Sequence, residues 1–407
     1  MQRAMPMNTG HLKHTGLILS GGGARAAYQV GVLRAIAEIL PADYPNPFDI
    51  ICGTSAGGLN AAGLATHAHC LQDGVNMLES VWGEFHTDQV YRTDWPGVLR
   101  RASRFLWTMM FGRLRRDLPV SLLDNSPLRT LLDSRLTLTR VQEAIDSGAL
   151  RALCITASGY SSGQSVSFFQ GSPHLEAWQR SRRIGVRSRI TLDHLLASAA
   201  IPIIFPAMRV HREFFGDGAL RQLSPISPAL HLGAERVLVI GVGGQSETRV
   251  REKNVSYPSI AQVVSHIMNS SFIDSLEADI ERLTRVNKTL RLIPEEVRQQ
   301  QSALREVDVL VISPPAQVLD TIAMRHAHLL PKSIRLFVRG SGATQRAGSG
   351  VLSYLLFEAA YCNDLMALGY HDGQGRREQL QKFLGIDENT VTPEKPESNV
   401  VEFKREA

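Results

Sequence analysis

Apolar residues in this chain gather into short unbroken runs and into longer runs with helical spacing, and the two alternate through its first half. Residues 17–19 are an apolar run that ends in Ser20, Gly21, Gly22 and Gly23, the pattern of a buried strand feeding a tight turn. Residues 24–40 then carry Val30, Leu33, Ala37 and Leu40 on one helical face, with Pro41 as the stop. Residues 48–52 predict a second strand, and residues 53–58 open a helix that runs to about 68. Two strand–turn–helix units in succession predict right-handed crossovers and a parallel sheet. Further strands are expected at 152–157 and 165–169, joined by a turn at 158–163, and at 236–242 and 307–313. A short hairpin is expected at 208–210 and 213–215, ending at Gly216, Asp217 and Gly218. Residues 192–200, 259–290 and 351–368 read as helices. The fold class is therefore α/β, a central mostly parallel sheet flanked by helices with a helical C-terminal extension. The expected division is a flexible N-terminus (1–14), a catalytic domain (15–315), the extension (316–385) and a disordered tail (386–407).

Composition narrows the class. With 43% hydrophobic and 20% charged residues among 407, the chain can bury a sizeable core. No run reaches the roughly 18 apolar residues of a spanning helix, and residues 1–13 lack the apolar stretch of a secretory signal. Cys52, Cys70, Cys154 and Cys362 are scattered, which predicts free thiols in a reducing, cytoplasmic setting and argues against a metal site. The net charge of +5 is concentrated: residues 97–118 hold six arginines against one aspartate, and Arg180, Arg182, Arg183, Arg187 and Arg189 form a second cluster, read as a solvated loop.

Two glycine clusters carry candidate chemistry. Gly21, Gly23 and Ala26 fit a dinucleotide fingerprint, but the second strand lacks the acidic residue at its end that would hold a ribose. The other reading is an anion cradle, in which backbone N–H groups converge beside a positive helix end. The second cluster, Gly53-Thr54-Ser55-Ala56-Gly57, is a G-x-S-x-G. That pattern arises by chance in about one 400-residue chain in seven, and Gly159-Tyr160-Ser161-Ser162-Gly163 matches it too. Context separates them. Ser55 lies between a strand and a helix, as a nucleophile elbow requires, whereas Ser161 precedes an alternating strand and reads as a hairpin-loop serine. Only one strand precedes that of Ser55, which fits an α/β-hydrolase order poorly. The base has two readings, an ordinary Asp-Gly turn or a general base, at Asp217, which glycines frame on both sides. His194, His211 and His231 are its rivals.

Taken in order, Gly21-Gly22-Gly23-Ala24-Arg25-Ala26, Gly53-Thr54-Ser55-Ala56-Gly57 and Asp217-Gly218-Ala219 resemble the patatin-like phospholipase family. The block at residues 197–206, Ala-Ser-Ala-Ala-Ile-Pro-Ile-Ile-Phe-Pro, resembles another piece of that family. The resemblance implies a three-layer sandwich, a Ser55–Asp217 dyad without histidine and no cofactor. It also implies an oxyanion hole from Gly21, Gly22, Gly23 and Ala24, with phospholipid or other lipid acyl esters as substrates. Arg25 matches the family's arginine, with substrate phosphate contact and loop packing as the two roles open to it. Ala26 and Ala219 replace family glycines, which touches fine geometry more than chemistry.

A lipid hydrolase must reach an interface. Residues 95–120 form a candidate amphipathic insertion in which Leu99, Ala102, Leu106 and Met109 or Met110 share a face flanked by Arg100, Arg101 and Arg104. Two readings compete, contact with an anionic membrane surface at the inner face of the membrane and packing on the catalytic domain. Nucleic acid is not an expected partner. Acyl transfer on the same dyad and a non-catalytic lipid-binding or regulatory protein are the alternatives to hydrolysis.

Overall fold

The computed structural model describes residues 14–386 apart from 42–43, 95–96, 98, 102, 105–106, 108–120, 245–256, 295–296, 298–304, 334 and 336–348. Nearly all of the expected N-terminal arm and tail and most of the 95–120 insertion lie outside the described residues.

The strands, in chain order, are β1 (Thr15–Leu19), β2 (Ile50–Thr54), β3 (Ala152–Gly159), β4 (Ser165–Gly171), β5 (Trp178–Arg180), β6 (Arg183–Arg187), β7 (Met208–Val210), β8 (Glu213–Asp217), β9 (Arg236–Ile240) and β10 (Asp308–Ile312). They form one sheet in the order β10-β9-β1-β2-β3-β4-β6-β5. The five strands from β10 to β3 pair in parallel, and β3 with β4 and β5 with β6 are antiparallel. Alternate side chains leave by opposite faces. Leu17, Leu19, Ile51, Leu153 and Ile155 join the larger apolar cluster, while Ile18, Cys52, Cys154, Val237 and Val239 join a second one. With helices on both faces, the sheet is the middle of three layers. The four cysteines are free thiols, and Cys52 and Cys154 are neighbours across β2 and β3.

The helices that matter for the site are α1 (Ala27–Ile39), α2 (Ala56–Ala65), α3 (Leu71–Gly83), α4 (Ser126–Arg135), α5 (Leu192–Ser198), α6 (Ile260–Asn269), α7 (Ser275–Arg291), α8 (Ala316–His326), α9 (Ser349–Leu355) and α10 (Ala359–Gln374). Two expectations need correction. The helix read at 351–368 is broken, since α9 ends at Leu355 and α10 starts at Ala359. The bend stayed hidden in the sequence because Leu356 and Phe357 keep the apolar pattern going while both are buried. The second arginine cluster is no loop either. Trp178, Ile184 and Val186 alternate with its arginines along the hairpin β5–β6 at the sheet edge, where charge deters pairing with another chain.

Strands β2 and β8 matter most. Both pair with the same side of β3. β2 runs parallel to it up to Thr54 opposite Thr156, and β8 runs antiparallel to it down to Asp217 opposite Ala157. The two strands thus meet end to end on one edge, and whatever follows Thr54 faces whatever ends β8.

The C-terminal helices share the main core: Tyr354, Tyr361 and Leu365 belong to the same cluster as Leu17 and Leu19. Helix α10 crosses α1 with backbone nearly on backbone. A Cβ on Gly31 would collide with the Met366 carbonyl, and one on Gly369 with the Tyr28 carbonyl. Gly31→Ala is therefore expected to destabilise the fold by about 1–3 kcal/mol in chemical unfolding. Gly83→Ala, whose new methyl meets nothing closer than 3.5 Å, should leave stability unchanged or slightly raised. Equal effects of the two substitutions would contradict this packing.

Candidate active site

Ser55 follows β2 directly and precedes α2. Its backbone is at φ 55° and ψ −132°, a conformation that costs a non-glycine residue about 1–3 kcal/mol. The turn is tight because α2 presses on the end of β1. A Cβ on Gly57 would collide with the Leu19 and Ser20 carbonyls, and one on Gly53 with the Gly57 carbonyl. The reward is position: the Ser55 hydroxyl projects past the sheet edge and donates to Asp217 Oδ2 at 2.6 Å.

Asp217 is held from several sides. Its Oδ1 accepts the Ala219 N–H at 3.0 Å, and its own N–H donates to the Ala200 carbonyl at 2.8 Å. Because Ala219 acts through its amide, an alanine in place of the family's glycine keeps the contact. Only 2% of Ser55 and 1% of Asp217 is exposed. Burial pushes the Asp217 carboxyl up to about 7, against the lowering pull of the Ser55 hydroxyl and the Ala219 amide.

The glycine loop lies alongside. A Cβ on Gly21 would be 3.0 Å from Ser55 Cβ. The loop enters a short 3₁₀ turn, Gly23–Ala26, with Gly23 at φ 55°. Among the described residues, the N–H groups of Gly22, Gly23 and Ala24 have no protein acceptor, as expected for the first donors of a helical turn.

Of the two roles open to Arg25, the structure favours packing over phosphate contact. Its side chain is fully buried, and Nε donates to Ser353 Oγ at 2.9 Å, Nη1 to Tyr354 Oη at 3.2 Å and Nη2 to Asp320 Oδ1 at 2.7 Å. The guanidinium also lies 4.0 Å from the Tyr354 ring centre. Arg25 therefore ties the glycine loop to α8 and α9.

The Tyr354 ring packs against Phe272 with centroids 5.3 Å apart, and a Cβ on Gly21 would meet the Phe272 ring at 2.6 Å. Phe272 lies in a π-helical turn, Ser270–Asp274, between α6 and α7. The sequence offered only one long helical pattern there, with no mark of the extra residue in the turn.

Beside Ser55 an apolar cavity, open at its mouth, runs between α2, α3 and α4. Leu59, Leu78, Leu128, Leu132 and Phe357 line it, and it reaches the exposed Arg135.

The rival groups have other work. His194 meets Thr191 and Ser188, and burial lowers its pKa to about 4. His211 packs on His194, and His231 stacks on Trp178. Ser161 sits in the β3–β4 loop with its N–H donating to Glu213 at 2.7 Å. Among the described residues no cluster of side chains could hold a metal ion.

A profile described as Patatin-like phospholipase matches residues 17–230, just over half of the 407 residues. The chain belongs to that family. It is 31% identical over 224 residues to a cGAMP-activated phospholipase of Pseudomonas aeruginosa, covering 53% of this chain and 55% of that protein. It is 28% identical over 218 residues to a protein of the same name from Escherichia coli, covering 51% and 52%. The matches thus span about half the length of these relatives. Human GIVD cytosolic phospholipase A2 is a distant structural neighbour, with a TM-score of 0.41 and 13% identity over 92% of this chain and 59% of its own.

A buried carboxyl with a raised pKa opposes folding where it must ionise. The penalty grows as pH rises from the ordinary value of 3.8 to about 7 and stands in full above that. Asp217→Asn keeps the shape without the charge. It should unfold at a higher temperature than wild type at pH 8, by up to a few kcal/mol of stability, with the gain shrinking as pH falls towards 4. A variant less stable than wild type at pH 8 would contradict the burial of this charge.

Proposed function

We propose that the chain hydrolyses lipid acyl esters through Ser55 and Asp217. The 2.6 Å contact between hydroxyl and carboxylate, set beside unpaired backbone donors, carries this reading. Asp217 takes the Ser55 proton as Oγ attacks the acyl carbonyl. The resulting oxyanion is received by the glycine-loop amides, Gly21 to Ala24, a type of contact worth roughly 10²–10³ in turnover per donor. The proton passes to the leaving alcohol oxygen, and an acyl ester of Ser55 remains. Water then gives one proton to Asp217 and its oxygen to the acyl carbon; the bond from that carbon to Ser55 Oγ breaks, and Asp217 returns the proton to Oγ, which releases a fatty acid and restores the serine. The apolar cavity beside Ser55 suits the acyl chain, and the phospholipase names of the relatives agree with a lipid substrate.

A second feature supports ligand control of this activity. The dyad is almost wholly buried, the Phe272 and Tyr354 rings pack together beside the glycine loop, and the curated relatives are named as cGAMP-activated. A cyclic dinucleotide is accordingly the candidate activator. No helix among the described residues is long and apolar enough to cross a membrane. Contact with an anionic membrane surface through the 95–120 insertion is part of the proposal and lies mostly outside the described residues.

Hydrolysis of a short-chain p-nitrophenyl ester, with and without cyclic GMP-AMP, tests both parts. Ser55→Ala and Asp217→Asn should lose at least about 10³-fold in kcat, while Ser161→Ala stays within about twofold, and the dinucleotide should raise the wild-type rate. An active Ser55→Ala protein would end the assignment, and a transferred acyl group on added glycerol would redirect it to acyl transfer. Because Asp217 works only when ionised, kcat/KM should climb with pH through about 7 and level off above it. A flat profile between pH 5 and 8 would remove Asp217 as the base.

A further inference from the structure

The stretch 198–200 touches both halves of the dyad. Ser198 is the last residue of α5 and is fully buried. Its Oγ accepts the Ser55 N–H at 2.8 Å and donates to the Thr156 carbonyl at 2.6 Å. A hydroxyl has one proton. With that proton committed to Thr156, a lone pair faces the Ser55 amide. Two residues on, the Ala200 carbonyl accepts the Asp217 N–H at 2.8 Å. It can do so because the helix has already ended and Pro202 keeps it from continuing, which leaves late carbonyls without helical partners.

The anchor of this arrangement is well placed. Thr156 is the β3 residue opposite the end of β2, and Ala157 is the one opposite the end of β8. Ser198 is therefore fastened at the joint where the two strands meet, with one bond to the nucleophile's own peptide.

We infer that residues 198–200 are a brace that sets the Ser55–Asp217 separation, and that Ser198 is a positioning residue for the hydrolysis; this rests on the hydrolase reading above. Ser198 touches neither reacting oxygen. It acts on the peptide that holds Ser55 at its strained φ, so its removal releases the elbow and lets Oγ drift from the carboxylate. The sequence block 197–206 stood out for its resemblance to a family pattern, and this gives two of its residues a task.

Steady-state hydrolysis by the full chain is the test, run with thermal unfolding of each variant. Ser198→Ala should lower kcat about 10–100-fold with KM within about twofold, since a displacement near 1 Å suffices for such a loss. Ser198→Thr and Ser198→Val form a matched pair of nearly equal shape, and only threonine keeps the hydroxyl. The brace requires the threonine variant to stay within a few-fold of wild type and the valine variant to resemble alanine. Full kcat in a folded Ser198→Ala protein, or equal kcat in the threonine and valine variants, overturns the inference and leaves the dyad assignment standing. A wild-type protein without esterase activity, with or without cyclic GMP-AMP, removes the hydrolase reading and the positioning role with it.

Discussion

One hydrogen bond, from the Ser55 hydroxyl to the Asp217 carboxylate, organises this molecule, and a constraint of sheet geometry makes it possible. The two residues are 162 positions apart. They meet because a parallel strand and an antiparallel strand share one edge of β3 and stop at adjacent residues, Thr156 and Ala157. Strand ends are directional, so the elbow after β2 and the turn after β8 point into the same gap. Everything nearby reinforces that meeting: the glycines that let α2 and the Asp217 turn approach closely, and the Ala219 and Ala200 contacts on Asp217.

Holding that pair away from water has two consequences with one cause. Desolvation raises the carboxyl towards neutrality, which makes it a better base near pH 7 and at the same time a source of instability. The C-terminal helices and the π-turn pack together beside the glycine loop, and Arg25 links them to it. A residue next to the proposed oxyanion donors is thus mechanically joined to Asp320, Ser353 and Tyr354. Movement of α8 or α9 would be felt at the loop through this side chain and through the close packing of Gly23 on the Tyr354 backbone.

Much of the site was legible because its signals are local. Glycines that allow an elbow sit beside the serine they serve, and a strand followed by a helix can be read within twenty residues of Ser55. Both glycine motifs and the aspartate turn were visible for that reason. Contacts made across the fold left no such mark. Ser198 looks like any helix-terminal serine until Ser55 and Thr156 are brought to it. Arg25 has no sequence neighbour that reveals its partners, which lie some 300 positions away. The break between α9 and α10 and the hairpin β5–β6 were misread on the same principle, since apolar or charged runs report burial and solvation more faithfully than backbone direction.

The most direct measurement is peptide mapping by mass spectrometry after exposure to an alkyl fluorophosphonate, which forms a stable adduct only on an activated serine. The structure calls for one adduct, on Ser55, that vanishes in Asp217→Asn while the protein stays folded. An adduct on Ser161 or another serine, or equal labelling of Ser55 without the Asp217 carboxylate, would contradict the account.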